Sequence, residues 1–163
     1  AQALKGTKTM VCDTRKTTPG LRMLEKYAAV CGGASNHRFG LYDGIMIKDN
    51  HIDFIGSITE AIRLAKGKSG HMVRVEVETS TAERVLEAVE AGADIIMFDN
   101  CTPEEIKRLA ELVPPGIITE ASGGITLESL GDYRDTGVDY ISLGCLTHSV
   151  RALDISAKVL ILE

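Results

Sequence analysis

Tryptophan is absent from this 163-residue sequence, and the other aromatics amount to three phenylalanines and four tyrosines. A surface that stacks nucleic-acid bases is built from such rings, so their scarcity argues against one. Excess positive charge is also missing. Eighteen Lys and Arg against 23 Asp and Glu leave a net charge of −5, whereas a duplex binder needs a basic face to displace counterions. Nucleic acid is therefore not an expected partner, and any anionic ligand must meet a local cationic site. No stretch approaches the roughly 18 apolar residues of a membrane span, and residues 1–6 lack the charged-then-apolar plan of a signal peptide. No membrane partner is expected, and the expected location is cytoplasmic. The four cysteines, Cys12, Cys31, Cys101 and Cys145, contain no C-x-x-C pair. They read as free thiols rather than as a zinc knuckle or redox motif.

What is present suits one aliphatic domain spanning residues 1–163, with 44% hydrophobic and 25% charged residues. From Met72 onward one pattern repeats: a short β-branched run, then an amphipathic helix. The strands are expected at Met72–Val77, Asp94–Phe98, Gly116–Glu120 and Asp139–Leu143, at intervals of 22 or 23 residues. Ser80 with Glu83, and Thr102 with Glu105, have capping-box spacing, and Pro103 occupies a favoured first helical position. Gly92, Gly116 and Gly137 offer the positive φ that ends a helix. Strands that alternate with helices must pair in parallel, because each crossover returns the chain to the same end of the sheet. Polar residues at the strands' C-terminal ends (Glu78, Asp99, Ser122, Gly144) favour a TIM-like parallel α/β barrel over an open sheet, since barrels build their sites on that face.

The first third is less regular. Leu4 to Lys8 reads as the end of a helix, and the sequence is expected to be a fragment of a longer chain. Met10–Asp13 reads as a strand, and Thr18-Pro19 is expected to cap a helix that runs to Gly32-Gly33. Residues 34–50 read as irregular around a short apolar stretch, Gly44–Ile47, the doubtful sixth strand of an incomplete barrel. Ile58–Lys66 reads as a helix. Long irregular segments are usually functional or disordered, and this one carries His37, Arg38, Lys48 and, just beyond it, His51. His71, at a strand start, reads as exposed.

Three groups of residues carry chemistry. Arg15, Lys16, His37, Arg38 and Lys48 would repel one another around a single cavity unless an anion joined them. Arginine forks match carboxylate and phosphate oxygens, and lysine adds a point charge. The plainer alternative is a scattered basic surface. Glu76 and Glu78 share one face of a strand by its period of two, and Asp99 ends the next strand. Glu78 and Asp99 are the better placed to hold Mg²⁺ or ribose hydroxyls, with an ion-pair network as the plainer reading. Glu120-Ala-Ser-Gly-Gly-Ile-Thr126 passes through paired glycines, and Ser142-Leu-Gly144 and His148 follow one repeat later. Such turns let backbone amides approach a phosphate, or are simply tight.

The runs Asp13-Thr-Arg-Lys-Thr-Thr-Pro-Gly-Leu-Arg22, Asn36-His-Arg-Phe-Gly-Leu-Tyr-Asp43 and Ile47-Lys-Asp-Asn-His51 resemble the quinolinate phosphoribosyltransferases. Val75-Glu-Val-Glu78, Phe98-Asp-Asn100, Glu120 to Thr126 and Leu143 to Ser149 continue the match in order. The resemblance implies an α/β barrel preceded in the family by an N-terminal sandwich domain that this sequence lacks, and sites completed by an arginine from a neighbouring subunit. Weak or no turnover is expected if the chain is complete as it stands. The full-length protein is expected to be a homodimer or higher homo-oligomer.

The implied reaction joins quinolinate to phosphoribosyl pyrophosphate with loss of CO₂, giving nicotinate mononucleotide and pyrophosphate in NAD biosynthesis. Mg²⁺ is the expected cofactor, and no organic cofactor is expected. Carried onto this sequence, the resemblance assigns Arg15, His37, Arg38 and Lys48 to the quinolinate carboxylates and Lys16 to phosphoribosyl pyrophosphate. Glu78 and Asp99 take the ribose hydroxyls and Mg²⁺. Ser122, Gly123, Gly124, Gly144 and His148 take the 5-phosphate. Lys16, Lys48, Glu78 and Asp99 are the expected catalytic residues. Two alternatives stand beside this reading: a Schiff-base aldolase using Lys16 or Lys48, and an inactive phosphate-binding barrel fragment.

Overall fold

The computed structural model of the protein describes residues 2–159. Six strands, β1 Met10–Cys12, β2 Gly44–Ile47, β3 Arg74–Thr79, β4 Ile95–Asp99, β5 Ile118–Ser122 and β6 Tyr140–Ser142, form one wholly parallel sheet. Their order across it is β2, β3, β4, β5, β6, β1. Strands consecutive in the chain are neighbours from β2 to β6, the arrangement expected of a barrel. An isolated parallel bridge from Cys12 to Ser35 extends the ladder past β1. The expected α/β sheet of about six strands is present, and the doubtful strand at Gly44–Ile47 is β2.

The two faces of the sheet have opposite chemistry, and this polarity locates the site. Val75, Val77, Ile96, Phe98, Ala121 and Ile141 alternate onto the outer face and join Ile58, Ile62, Val85 and Ile106 from the helices in one buried cluster. Burial of such aliphatic side chains contributes about 1.5–3 kcal/mol each. The intervening residues face inward: Met46, Glu76, Glu78, Met97, Asp99, Glu120, Ser122, Ser142 and Cys12 occupy matching register positions. A charged inner face of this kind cannot be covered by a helix and is left for a ligand.

Among the described residues six helices accompany the strands: α1 Arg22–Cys31, α2 Asp49–Ile55, α3 Ile58–Lys68, α4 Ala82–Glu90, α5 Pro103–Ala110 and α6 Cys145–His148. Between β5 and β6 a 3-10 turn at Leu130–Tyr133 stands in for a helix, and Leu4 closes another 3-10 turn rather than opening a helical end. The Thr102 cap holds as expected: its hydroxyl accepts from Glu105 N, while the Glu105 carboxylate accepts from Thr102 N at 2.8 Å. Thr102→Ala is expected to lower Tm by roughly 3 °C, measured by thermal unfolding.

Three local expectations are corrected. Ser80 is not the cap of α4; Thr81 is, its hydroxyl accepting from Arg84 N, because the strand before it runs to Thr79. Thr18-Pro19 does not cap α1 either. Pro19 and Gly20 (φ 79°) form the middle of a turn closed by Leu21 N donating to Thr18 O, and α1 begins after it. This is the geometry of a type II turn, which places proline before a residue with positive φ. Finally, α2 begins inside the segment expected to be irregular, at Asp49, and continues through residues 51–55, for which no element was expected. Its start is held by His51, whose Nδ1 accepts from Lys48 N at 3.0 Å, a cap that is not among the usual hydroxyl and carboxylate signals. Among the described residues no helix is long and apolar enough to cross a membrane.

Candidate active site

A cavity of about 400 Å³ opens at the C-terminal ends of the strands. One wall comes from the loops after β1 and before β2, and its scaffold is a buried ion pair. Asp13, fully buried, accepts from Lys26 Nζ at 2.5 Å, from Asn36 Nδ2 and from His37 N at 2.8 Å; Lys26 also donates to His37 O. The pair ties the end of β1, the middle of α1 and the 36–38 loop into one unit. Arg22 adds a second tie, donating to Arg15 O, Thr17 Oγ1 and Phe39 O. A third tie runs from Thr147 Oγ1 on α6 to Lys16 O at 2.7 Å.

On this scaffold Arg15, Lys16, His37, Arg38 and Lys48 all line the cavity. Arg38 is anchored by a bond from Nη1 to Gly44 O at 2.7 Å. Burial, and after it the nearby charge of Arg15, lower its pKa. Arg15 Nε is buried with no partner. Two guanidiniums that disfavour each other, one of them unsatisfied, make a site that an anion would complete.

The opposite wall is acidic. Glu78 on β3 and Asp99 at the end of β4 both line the cavity, and Lys48 Nζ reaches across to Glu78 Oε1 at 2.5 Å. Asp99 accepts from Asn100 Nδ2 at 2.7 Å. Between them lies the glycine turn: Ser122, Gly123 and Gly124 line the same cavity. Gly123 has φ 97°, and a Cβ there would stand 2.4 Å from Asn100 Oδ1, so any side chain would collide. Asn100 itself holds φ 55° and donates its backbone N–H to Ser122 O at 2.9 Å. The turns after β4 and β5 therefore lock together and leave the glycine backbone bare toward the cavity.

Ten of the twelve residues expected to bind substrate line this one cavity; Gly144 and His148 do not. They stand beside it: a Cβ on Gly144 would be 2.8 Å from the His148 ring and 3.9 Å from Lys16 Cδ. The plainer alternative of a scattered basic surface does not hold for the five cationic residues.

Behind His37, outside the lining of this cavity, stand two acids to which the sequence reading assigns no substrate or metal. His37 Nε2 lies 3.4 Å from Glu76 Oε2 and 3.5 Å from Glu120 Oε1, both carboxyls being buried. Glu76 had been ranked behind Glu78, and Glu120 read only as the start of the glycine motif. Inward orientation on alternate strand positions was the available signal. Burial, and next the charge of Glu76, push Glu120 up to about 7. For His37, burial pulls down, but the Glu76 contact and the Glu120 charge prevail and the net shift is upward. Asn100, Thr14 and Met97 also line the cavity without having been singled out as site residues.

Comparison with known proteins points to one family. A family model described as quinolinate phosphoribosyl transferase, C-terminal domain, matches residues 1–158. The chain is 66% identical over 149 residues to a probable nicotinate-nucleotide pyrophosphorylase [carboxylating] of Bacillus subtilis, covering 91% of this chain and 52% of that protein. It is 43% identical over 152 residues to the human nicotinate-nucleotide pyrophosphorylase [carboxylating], covering 91% and 51%. Among solved structures, NadC from Streptococcus pyogenes superposes with a TM-score of 0.92 at 44% identity, covering 97% of this chain and 55% of that one. The chain thus spans about half the length of the curated relatives it matches.

Proposed function

The chain belongs to the quinolinate phosphoribosyltransferase family, and from that premise we propose that its cavity joins quinolinate to phosphoribosyl pyrophosphate and releases CO₂. One observation carries the proposal: Arg15, Arg38 and Lys48 meet Glu78, Asp99 and the Gly123-Gly124 turn around a single cavity. A pyridine dicarboxylate needs the first set, and an activated ribose phosphate needs the second.

In this reading Arg15, Arg38 and Lys48 hold the two carboxylates, His37, whose ring hydrogen is turned to Glu76 and Glu120, forms the wall beside them, and Lys16 reaches the pyrophosphate. The backbone at Ser122, Gly123 and Gly124, with Gly144 and His148 at the rim, receives the 5-phosphate. The pyridine nitrogen attacks the anomeric carbon as pyrophosphate departs, and the positive charge that develops on the ribose is stabilised by Glu78 or Asp99. The 2-carboxylate then leaves as CO₂, the electron pair left on C2 is stabilised by the adjacent quaternised nitrogen, and a proton from water takes that pair, so no organic cofactor is required.

Mg²⁺ fits the residues present. Glu78 keeps Oε2 clear of Lys48, and Asp99 faces the same cavity. Two carboxylates are what Mg²⁺ commonly takes from protein when a phosphate supplies other ligands. Bound there, the ion would neutralise charge on the departing pyrophosphate. The aldolase reading loses its support, because a Schiff-base lysine must be desolvated. Lys16 is exposed, and the Lys48 side chain is 44% exposed and paired with Glu78.

Completion of the site by a second subunit belongs to the same proposal, with a homodimer or larger homo-oligomer as the working form. The test is to mix the protein with quinolinate, phosphoribosyl pyrophosphate and Mg²⁺ and to assay nicotinate mononucleotide. Product, or failing turnover the saturable binding of quinolinate, supports the reading. Absence of both product and quinolinate binding overturns it.

A further inference from the structure

Behind the cavity wall, around His37, there are too few hydrogens for the acceptors gathered there. Glu76 from β3 and Glu120 from β5 bring carboxyl oxygens to within 4.8 Å of each other and of His37 Nε2. Each carboxyl has an Oε1 that is buried without a hydrogen-bond partner. The His37 ring cannot supply the deficit. Its Nδ1 accepts from Arg38 N at 2.8 Å, so the place where a second ring proton would sit is already taken by a backbone N–H. The imidazole is left with one hydrogen, on Nε2, for two carboxyls. The upward pull that the acids exert on His37 therefore meets an obstacle on the far side of the ring, and the missing proton belongs on a carboxyl.

Two further facts decide which carboxyl and exclude a metal. Three donor atoms this close resemble a metal's ligand set, but a metal on Nε2 requires Nδ1 to carry hydrogen, and the Arg38 N–H points there. Glu120 is the carboxyl whose proton affinity is raised, by burial first and by Glu76 second. The Ser142 hydroxyl on β6 and, when charged, His37 favour its ionised form, but burial and Glu76 outweigh them. β4 contributes only Ile95 and Met97, and β1 contributes Cys12, whose thiol is itself pushed up by burial. Lys26 is committed to Asp13. A second cavity, of about 370 Å³, reaches Glu120 from the opposite end of the strands past Arg74 and Tyr140. It gives the proton a route to and from solvent.

We propose that Glu120 is a positioning residue of the anion cavity: it carries a proton, fixes His37 as an Nε2–H donor, and keeps the layer behind the cavity wall from holding two bare carboxylates close to a dianion. This rests on the quinolinate reading for the identity of the dianion, whereas the proton itself does not. Its removal by rising pH puts a second negative charge close to the ligand, so anion binding weakens as the proton is lost.

The sign for folding is also determined. A carboxyl whose folded pKa exceeds its unfolded value lowers stability as pH rises from the unfolded value, about 4.5, toward about 7. Thermal unfolding of wild type and Glu120→Gln between pH 5 and 8 is expected to separate in favour of the variant by on the order of 4 °C. Calorimetric titration with quinolinate is expected to show wild-type affinity falling about tenfold from pH 6 to 8, and by less than about threefold in Glu120→Gln. Infrared spectra of the wild type, which need no variant, should contain a protonated-carboxyl band at pH 6 that is lost by pH 9. Absence of that band, parallel Tm curves, or equal pH dependence of binding would each overturn the proposal. So would stoichiometric Zn²⁺ binding to wild type that Glu120→Gln abolishes. If quinolinate binds at no pH while the Tm curves diverge and the band titrates, the substrate assignment fails and the proton on Glu120 stands.

Discussion

Asp13→Ala is expected to lower stability by about 3–5 kcal/mol, because it strands the Lys26 ammonium in the interior. For a chain of this size that corresponds to a fall in Tm of roughly 10 °C. The side chains of the pair are 0% and 3% exposed, so water cannot replace the lost partner. Asp13 also holds His37 N and Asn36 Nδ2, so any protein that still folds should bind quinolinate weakly as the 36–38 loop loses its anchor. The double variant Asp13→Ala with Lys26→Met removes both charges and should recover part of the stability lost in the single variant. Denaturant unfolding measures all three proteins. A single-variant loss under about 1 kcal/mol would mean that the pair is not the brace described.

That brace also marks the limit of what the sequence discloses. The repeat of strand and helix was legible from Met72 onward because β-branched runs, caps and glycines are local signals, and β3 to β6 lie within two residues of their expected bounds. The cationic residues were legible as chemistry, since five such groups in irregular chain imply an anion. The parts that failed are those whose partners lie far away in the sequence. Lys26 looks like one more surface lysine of α1 until Asp13, thirteen residues earlier, is seen beside it. Glu76 and Glu120 are 44 positions apart, and only a sheet curved enough to bring His37 from beyond β1 over to β3 and β5 places them together. Helix α2 escaped notice because its start is held by an imidazole.

Arg38→Ala should lower kcat/KM by roughly 100-fold or more in the active enzyme, from loss of charge-assisted bonds to a substrate carboxylate. Arg38→Lys keeps the charge but not the planar fork and should recover only part of the loss. Lys48→Ala should fall as far, since it also leaves Glu78 without its partner. Unchanged activity in both alanine variants would refute the assignment. Stability separates this loss from simple damage to the fold. In the empty protein burial and Arg15 disfavour Arg38 and outweigh the attraction of Glu76, Glu78 and Asp43, and its side chain makes one hydrogen bond, to Gly44 O. Its removal relieves the repulsion while forfeiting that bond, so Tm should move by no more than roughly 3 °C even as turnover collapses. A structural arginine would lose both together. Added quinolinate should raise the Tm of wild type and leave that of Arg38→Ala nearly unmoved, because only a ligand that binds the folded state shifts its unfolding.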